Sequence, residues 1–399
     1  MRSRPVWAGS LAVLLAVVGV VALGVGPAGA EPPSNSARSG PAGGPVDRTG
    51  RVWRNLSGGA YHTCGVRTDR SLWCWGSNNS GQLGLGDTTD RLVPTRVGAD
   101  ADWARVIVGG YHTCGVRTDR SLWCWGANDV GQLGLGDRTQ SVPFPTRVGI
   151  DTNWARVTGG WTHTCGVRTD RSLWCWGNNG NGQLGLGDRD DRLVPTRVGA
   201  DAEWGRVSGG GAHTCAIRTD RSLWCWGGNW KGQLGLGDRT ERLVPTQVGA
   251  FADWGRLSPG LESTCGTRRS GSLWCWGDNS SGQLGLGDRR DRQVPTQVGA
   301  DTDWARVTAG SYQNTCAVRT DRSLWCWGSN SDGQLGLGDI TDRLVPSRVG
   351  AGTDWAGVIA GWFHTCGLRT DRSLWCWGRN EEGQLGLGDT TDRWVPTRV

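Results

Sequence analysis

Three features of the sequence predict an all-β chain folded as a seven-bladed β-propeller. The string Ser-Leu-Trp-Cys-Trp-Gly returns seven times, beginning at Ser71, Ser121, Ser172, Ser222, Ser272, Ser323 and Ser373, so the repeat is 50 or 51 residues long. Every unit holds short runs rich in Val, Trp and Thr, broken by Gly, Asn and Asp. The cysteines fall in pairs ten residues apart.

The chain of 399 residues opens with a segment that reads as an export signal. Arg2 and Arg4 make a short basic start, residues 6–25 are apolar apart from small side chains, and Ala28-Gly29-Ala30 supplies a small-residue cleavage pattern before Glu31. Residues 1–30 are therefore expected to be removed after Ala30, leaving a secreted, extracellular protein with no stable membrane span. Residues 31–50 are Pro, Gly, Ser and Ala with few large apolar side chains, too little to repay the entropy of ordering, and read as a disordered linker. Residues 51–399 hold the seven units and leave no room for a second domain.

Within a unit no apolar run has the length or period of a helix, so each is expected to form about four short strands. In the first they fall at residues 53–57, 63–67, 71–76 and 93–97. Neither end of the array carries a charged capping unit, which fits a closed ring whose first and last blades cover each other's apolar faces. The 67 Gly, without a three-residue period, exclude collagen and point to many tight turns. The segment from Gly81 to Gly86 looks like a phosphate loop, but it recurs in every blade with no helix behind it, so turn geometry is the better reading.

The cysteine pairs are Cys64 with Cys74, Cys114 with Cys124, Cys165 with Cys175, Cys215 with Cys225, Cys265 with Cys275, Cys316 with Cys326, and Cys366 with Cys376. In a hairpin whose three-residue loop is Thr68-Asp69-Arg70, Cys64 and Cys74 face each other directly, at a separation a disulfide can bridge. In the fifth unit Gly271 takes the third loop position, which needs a left-handed backbone. One disulfide per blade is expected, each closing a short loop and contributing roughly 2 to 3 kcal/mol. A spacing of ten lacks the close pairing of zinc sites, so neither metal nor cofactor is expected.

A Gly-Gly, two or three variable residues, His-Thr, a short hairpin, Leu-Trp-Cys-Trp-Gly, an Asn, Gly-Gln-Leu-Gly and a Pro-Thr strand make up the repeated unit, which runs through the chain seven times with single substitutions. This resembles the regulator of chromosome condensation repeat family, which implies a seven-bladed propeller. In repeat number and setting the chain is also similar to secreted bacterial propeller-type β-lactamase inhibitors, from which it departs by its Cys pairs and its longer Gly-Leu-Gly-Asp stretch. The guanine-nucleotide exchange role of eukaryotic members transfers poorly to a chain with an export signal and no basic tail.

Two repeated polar positions are read as structural. His62, His112, His163, His213 and His364, with Ser263 and Asn314 in the other two blades, suit a repeated buried hydrogen bond better than a catalytic base. Asp87 and its equivalents suit a hydrogen bond in their own turn or a pair with Arg91 and its equivalents better than calcium, since one carboxylate per blade builds no oxygen shell.

Aligning the chain with itself exposes positions that vary while their flanks stay fixed. Large aromatics collect there: Tyr61, Tyr111, Trp161, Tyr312, Trp362 and Phe363 just before the Thr-Cys, and Trp230 between Trp-Gly and Gly-Gln, where Asp129, Lys231, Asp332, Glu381 and Glu382 also vary. Trp and Tyr bury much area at low entropy cost, as a recognition surface needs. The expected protein is a monomeric, non-catalytic scaffold whose loop face binds an extracellular or cell-surface protein, an enzyme target among the options. A glycan is the second reading, an enzyme the third, and packing over the channel mouth the bland account of the same rings. Mixed Arg and Asp with a formal net charge of +6 give no basic stripe for nucleic acid.

Overall fold

The structure, a computed structural model, describes residues 52–310 and 313–399. The expected export signal and linker, and Tyr312, lie outside the described residues. Blade 1 runs β1 (Trp53–Gly58), β2 (His62–Arg67), β3 (Leu72–Gly76) and β4 (Arg91–Arg96), paired in sequence order as an antiparallel sheet. Six further four-stranded sheets follow over residues 103–147, 154–197, 204–247, 254–297, 304–348 and 355–398. Each blade is thus one stretch of chain, with no strand exchanged between the first and the last.

The hairpin register follows the cysteine positions. Cys64 pairs with Cys74, and all seven disulfides join directly facing residues with Cα atoms 4.1 to 4.2 Å apart. At the third loop position Arg70 takes φ 65° and Gly271 takes φ 83°, the left-handed backbone that the turn requires.

The core lies between blades. Cys64, Val66, Leu72, Cys74, Leu83 and Val97 of the first repeat pack on Trp103, Val106, Val108 and Trp125 of the second. Closure uses the same contacts: Cys366, Leu374, Cys376 and Leu385 of the last repeat pack on Trp53, Leu56 and Trp75 of the first. The disulfides therefore sit inside the apolar layers that weld one blade to the next.

A polar clasp runs through five of the seven welds. The Thr63 hydroxyl donates to the Gln384 carbonyl at 3.1 Å, the Trp75 indole N–H donates to the same oxygen at 3.0 Å, and His364 meets Thr63 at 2.9 Å. The Thr proton goes to the carbonyl, so His364 Nε2 must be the donor of the second bond. The same His–Thr contact links His62 to Thr113, His112 to Thr164, His163 to Thr214 and His213 to Thr264. The His-Thr, Trp-Cys-Trp and Gly-Gln-Leu-Gly segments are thus three parts of one buried interface. Asp87 pairs with Arg91 at 2.6 Å and accepts from Asn78, and the same ion pair recurs at Asp188, Asp238, Asp288, Asp339 and Asp389. Ser141 stands where blade 2 would need the arginine, and Asp137 keeps its Asn128 bond.

Candidate functional site

The first strand of each blade lines the axis and is followed at once by a glycine, because the strands converge there. A Cβ on Gly109 would come within 2.1 Å of the His112 ring and 2.8 Å of the Gly160 carbonyl, so only glycine fits. Beyond this constriction the loops bond to one another from blade to blade. Ala60 donates to the Gly110 carbonyl at 3.4 Å, Gly110 to Gly160 at 3.2 Å, Trp161 to Gly210 at 3.1 Å and Gly211 to Gly260 at 3.0 Å. These bonds tie the loops of blades 1 to 5 in series into a partial backbone collar.

Four aromatic rings from blades 7, 1, 2 and 3 close into a circuit at this end of the axis. Tyr61 meets Trp362 edge-on at 5.6 Å and Tyr111 at 6.4 Å; Tyr111 meets Trp161 edge-on at 5.5 Å; Trp161 and Trp362 stack at 4.0 Å with 18° between their planes. Phe363 adds contacts of 6.0 Å to Tyr61 and 5.7 Å to Trp362. Such pairs prefer tilted or offset geometry and contribute about 0.5 to 1.5 kcal/mol each beyond area. All five side chains are half-buried, so part of each ring still faces solvent. Burial raises the Tyr61 and Tyr111 hydroxyls above the usual phenol range, with the neighbouring Tyr111 adding to the effect on Tyr61. Both phenols stay neutral near pH 7 and keep a polar handle on an apolar patch.

Blades 4 to 6 carry a different surface. Trp230, expected to join the aromatic set, lies outside the circuit: it is exposed and donates to Glu262 at 2.6 Å. Lys231 pairs with buried Asp278 at 3.0 Å, and Gln313 bonds to Ser280 and accepts from Ser281. Gly211-Ala212 and Leu261 add only small or aliphatic side chains at the positions that hold aromatics in blades 7, 1, 2 and 3. The other variable charges make local contacts: Asp129 accepts from Gln132, Ser331 donates to Asp332, and Arg379 bonds Glu381. Burial and the nearby carboxylate of Asp90 raise Glu382. Sequence reading passed over Glu262 as the Trp230 partner; an acid two residues before the Thr-Cys of the next blade was the available signal.

Burial holds the five histidines at about 3 to 4, so they are neutral and stand as clasp donors, away from the exposed face. Among the described residues, no three His, Cys, Asp or Glu side chains group as a metal ion would require. What this end of the axis offers chemically is a pre-ordered aromatic patch beside a polar one.

Models of the regulator of chromosome condensation (RCC1) repeat match residues 69–116, 119–167, 170–217, 220–257, 270–317 and 321–368, and a second model of that repeat matches five stretches between residues 48 and 384. The ultraviolet-B receptor UVR8 of Arabidopsis thaliana is 34% identical over 141 residues, which cover 35% of this chain but only 21% of the receptor. Two solved propellers share the fold. Human WBSCR16 superposes with a TM-score of 0.74 at 21% identity, over 82% of this chain and 94% of its own. Prp20p of Saccharomyces cerevisiae, described for its binding to Gsp1p and histones, gives 0.75 at 20% identity over 88% of each chain.

Proposed function

Because the chain belongs to the regulator of chromosome condensation repeat family, we propose that it is a secreted, non-catalytic scaffold that recognises a protein partner through the aromatic half of its loop face. The observation that carries this reading is the circuit of Tyr61, Tyr111, Trp161 and Trp362, four rings from four consecutive blades in contact with one another. Rings already ordered lose little entropy on binding, and Trp and Tyr are the side chains that most often anchor interfaces. Protein is favoured over glycan because Trp161 and Trp362 turn one face of each ring against the other, leaving fewer flat faces for sugar stacking. Seven buried disulfides with no free cysteine among the described residues suit an oxidising, extracellular setting. No helix among the described residues is long and apolar enough to cross a membrane. An exported product with its N-terminus at Glu31, read by mass spectrometry, is the expected outcome for the first thirty residues.

The test is capture from culture medium and cell-surface fractions by the oxidised chain, beside a variant carrying Tyr61→Ala, Tyr111→Ala, Trp161→Ala and Trp362→Ala. The reading expects a protein retained by the parent and lost by the variant. Equal retention by both would remove this face from the function, and retention of glycan alone would move the reading to carbohydrate.

A further inference from the structure

The opposite end of the axis carries a second repeated feature. The third residue of the innermost strand is Asn55, Arg105, Arg156, Arg206, Arg256, Arg306 and Gly357 in blades 1 to 7. Five consecutive blades therefore present an arginine near the start of a strand whose far end reaches the glycine constriction below the aromatic rings. All five line one cavity of about 300 Å³, walled elsewhere by Val157, Val207 and Leu257. Arg306 leans over the gap left in blade 7, where a Cβ on Gly357 would lie 3.5 Å from its Nη1.

Among the described residues these arginines take part in no ion pair. The carboxylates at this end are committed to a different series: Arg117 holds Asp100 and Asp102, and Arg319 holds Asp301 and Asp303 in the same way. Arg156 and Arg256 are pushed below the ordinary guanidinium range, first by burial and then by their arginine neighbours. They stay charged at any physiological pH. Like charges gathered in one cavity without counter-charge destabilise the folded chain, and blades 1 and 7 show that Asn or Gly fits the same position. Folding therefore gives no reason for five arginines here.

We propose that this arginine mouth binds a compact polyanion of the oligophosphate class. Guanidinium forks match phosphate oxygens in bidentate geometry, and several forks around one cavity reward a ligand whose charges are closely spaced. A chain of three linked phosphates packs nearly as many negative charges as there are arginines into a volume of this size; a tricarboxylate does not. The site is separate from the loop face, so it stands or falls independently of the partner reading.

The test is titration calorimetry of the full oxidised chain with inorganic tripolyphosphate, at low and at physiological salt. One ion per chain is expected, with affinity falling as salt screens the site. Arg156→Gln with Arg256→Gln, and separately Arg206→Gln with Arg306→Gln, should each weaken binding roughly tenfold or more, while Arg138→Gln with Arg239→Gln, the same charge loss on outer loops, leaves it unchanged. Monophosphate and citrate should bind at least about tenfold more weakly than tripolyphosphate. No saturable binding at low salt, equal losses in the mouth and outer-loop variants, or citrate binding as tightly as tripolyphosphate would overturn the proposal. Near-ultraviolet circular dichroism shows whether each variant keeps the folded Trp environment.

Discussion

The loop face has two halves that differ above and below the surface. Blades 7, 1, 2 and 3 present the aromatic circuit, and beneath it His364, His62 and His112 clasp the threonine of the next blade. Blades 5 and 6 present polar loops, and beneath them Ser263 and Asn314 stand where the clasp histidine would be; both amide atoms of Asn314 are buried without a hydrogen-bond partner. Every blade of the aromatic half thus keeps its clasp histidine, whereas in the polar half only blade 4 does, through His213 and Thr264. The proposed recognition surface needs support that holds its anchors in place, and the clasps lie beneath it.

Acid should loosen the five interfaces that carry a histidine and spare the two built on Ser263 and Asn314, and this is the largest effect expected. The folded histidines titrate at about 3 to 4, against about 6.5 when unfolded, because burial disfavours the charged ring. Below about pH 6.5 the unfolded chain therefore binds more protons than the folded one. Stability is complete above that pH and is lost as pH falls toward 4, by up to about 1.4 kcal/mol per pH unit for each histidine. Thermal melts between pH 7 and 4 would measure the slope, and His112→Asn should make it shallower. Hydrogen exchange at pH 5 should rise first at the clasped interfaces; a uniform rise would contradict the comparison.

Removing a clasp at neutral pH comes next. His112→Ala leaves the Thr164 hydroxyl short of a donor and opens a cavity, a loss of about 2 to 3 kcal/mol, whereas Ser263→Ala should cost less than about 1 kcal/mol. Denaturant melts of the two variants give the difference directly. Supplying a missing clasp is the smaller counterpart: Asn314→His places a donor beside Thr365 and should stabilise by about 1 kcal/mol, seen as a higher melting temperature.

Local rules made much of this legible in the sequence. Seven units, their strands and the facing of Cys64 with Cys74 follow from repeat spacing and hairpin register, because both are set within a few residues. The clasp was half legible. A histidine at a fixed place implied a buried bond, but its partner lies in the neighbouring blade, and spacing inside one unit carries no information about that. The meeting of Trp161 with Trp362 was illegible for a stronger reason. They sit two hundred residues apart in blades 3 and 7, and only closure of the ring brings them to 4.0 Å. The place of Trp230 outside the circuit was illegible too, because an exposed aromatic at a variable position looks the same in sequence whichever side of the axis it falls on. The arginines stand in the sequence as a recurring Trp-Ala-Arg or Trp-Gly-Arg, and nothing within one unit tells which strand lines the axis.

The most direct measurement is the affinity of the captured partner for three forms of the oxidised chain: the parent, Trp161→Ala with Trp362→Ala, and Trp230→Ala with Lys231→Ala. Loss of two central aromatic anchors should weaken binding by roughly thirtyfold or more, and the polar-half pair should change it by less than about threefold. Equal losses, or a larger loss from the polar-half pair, would contradict recognition through the aromatic half.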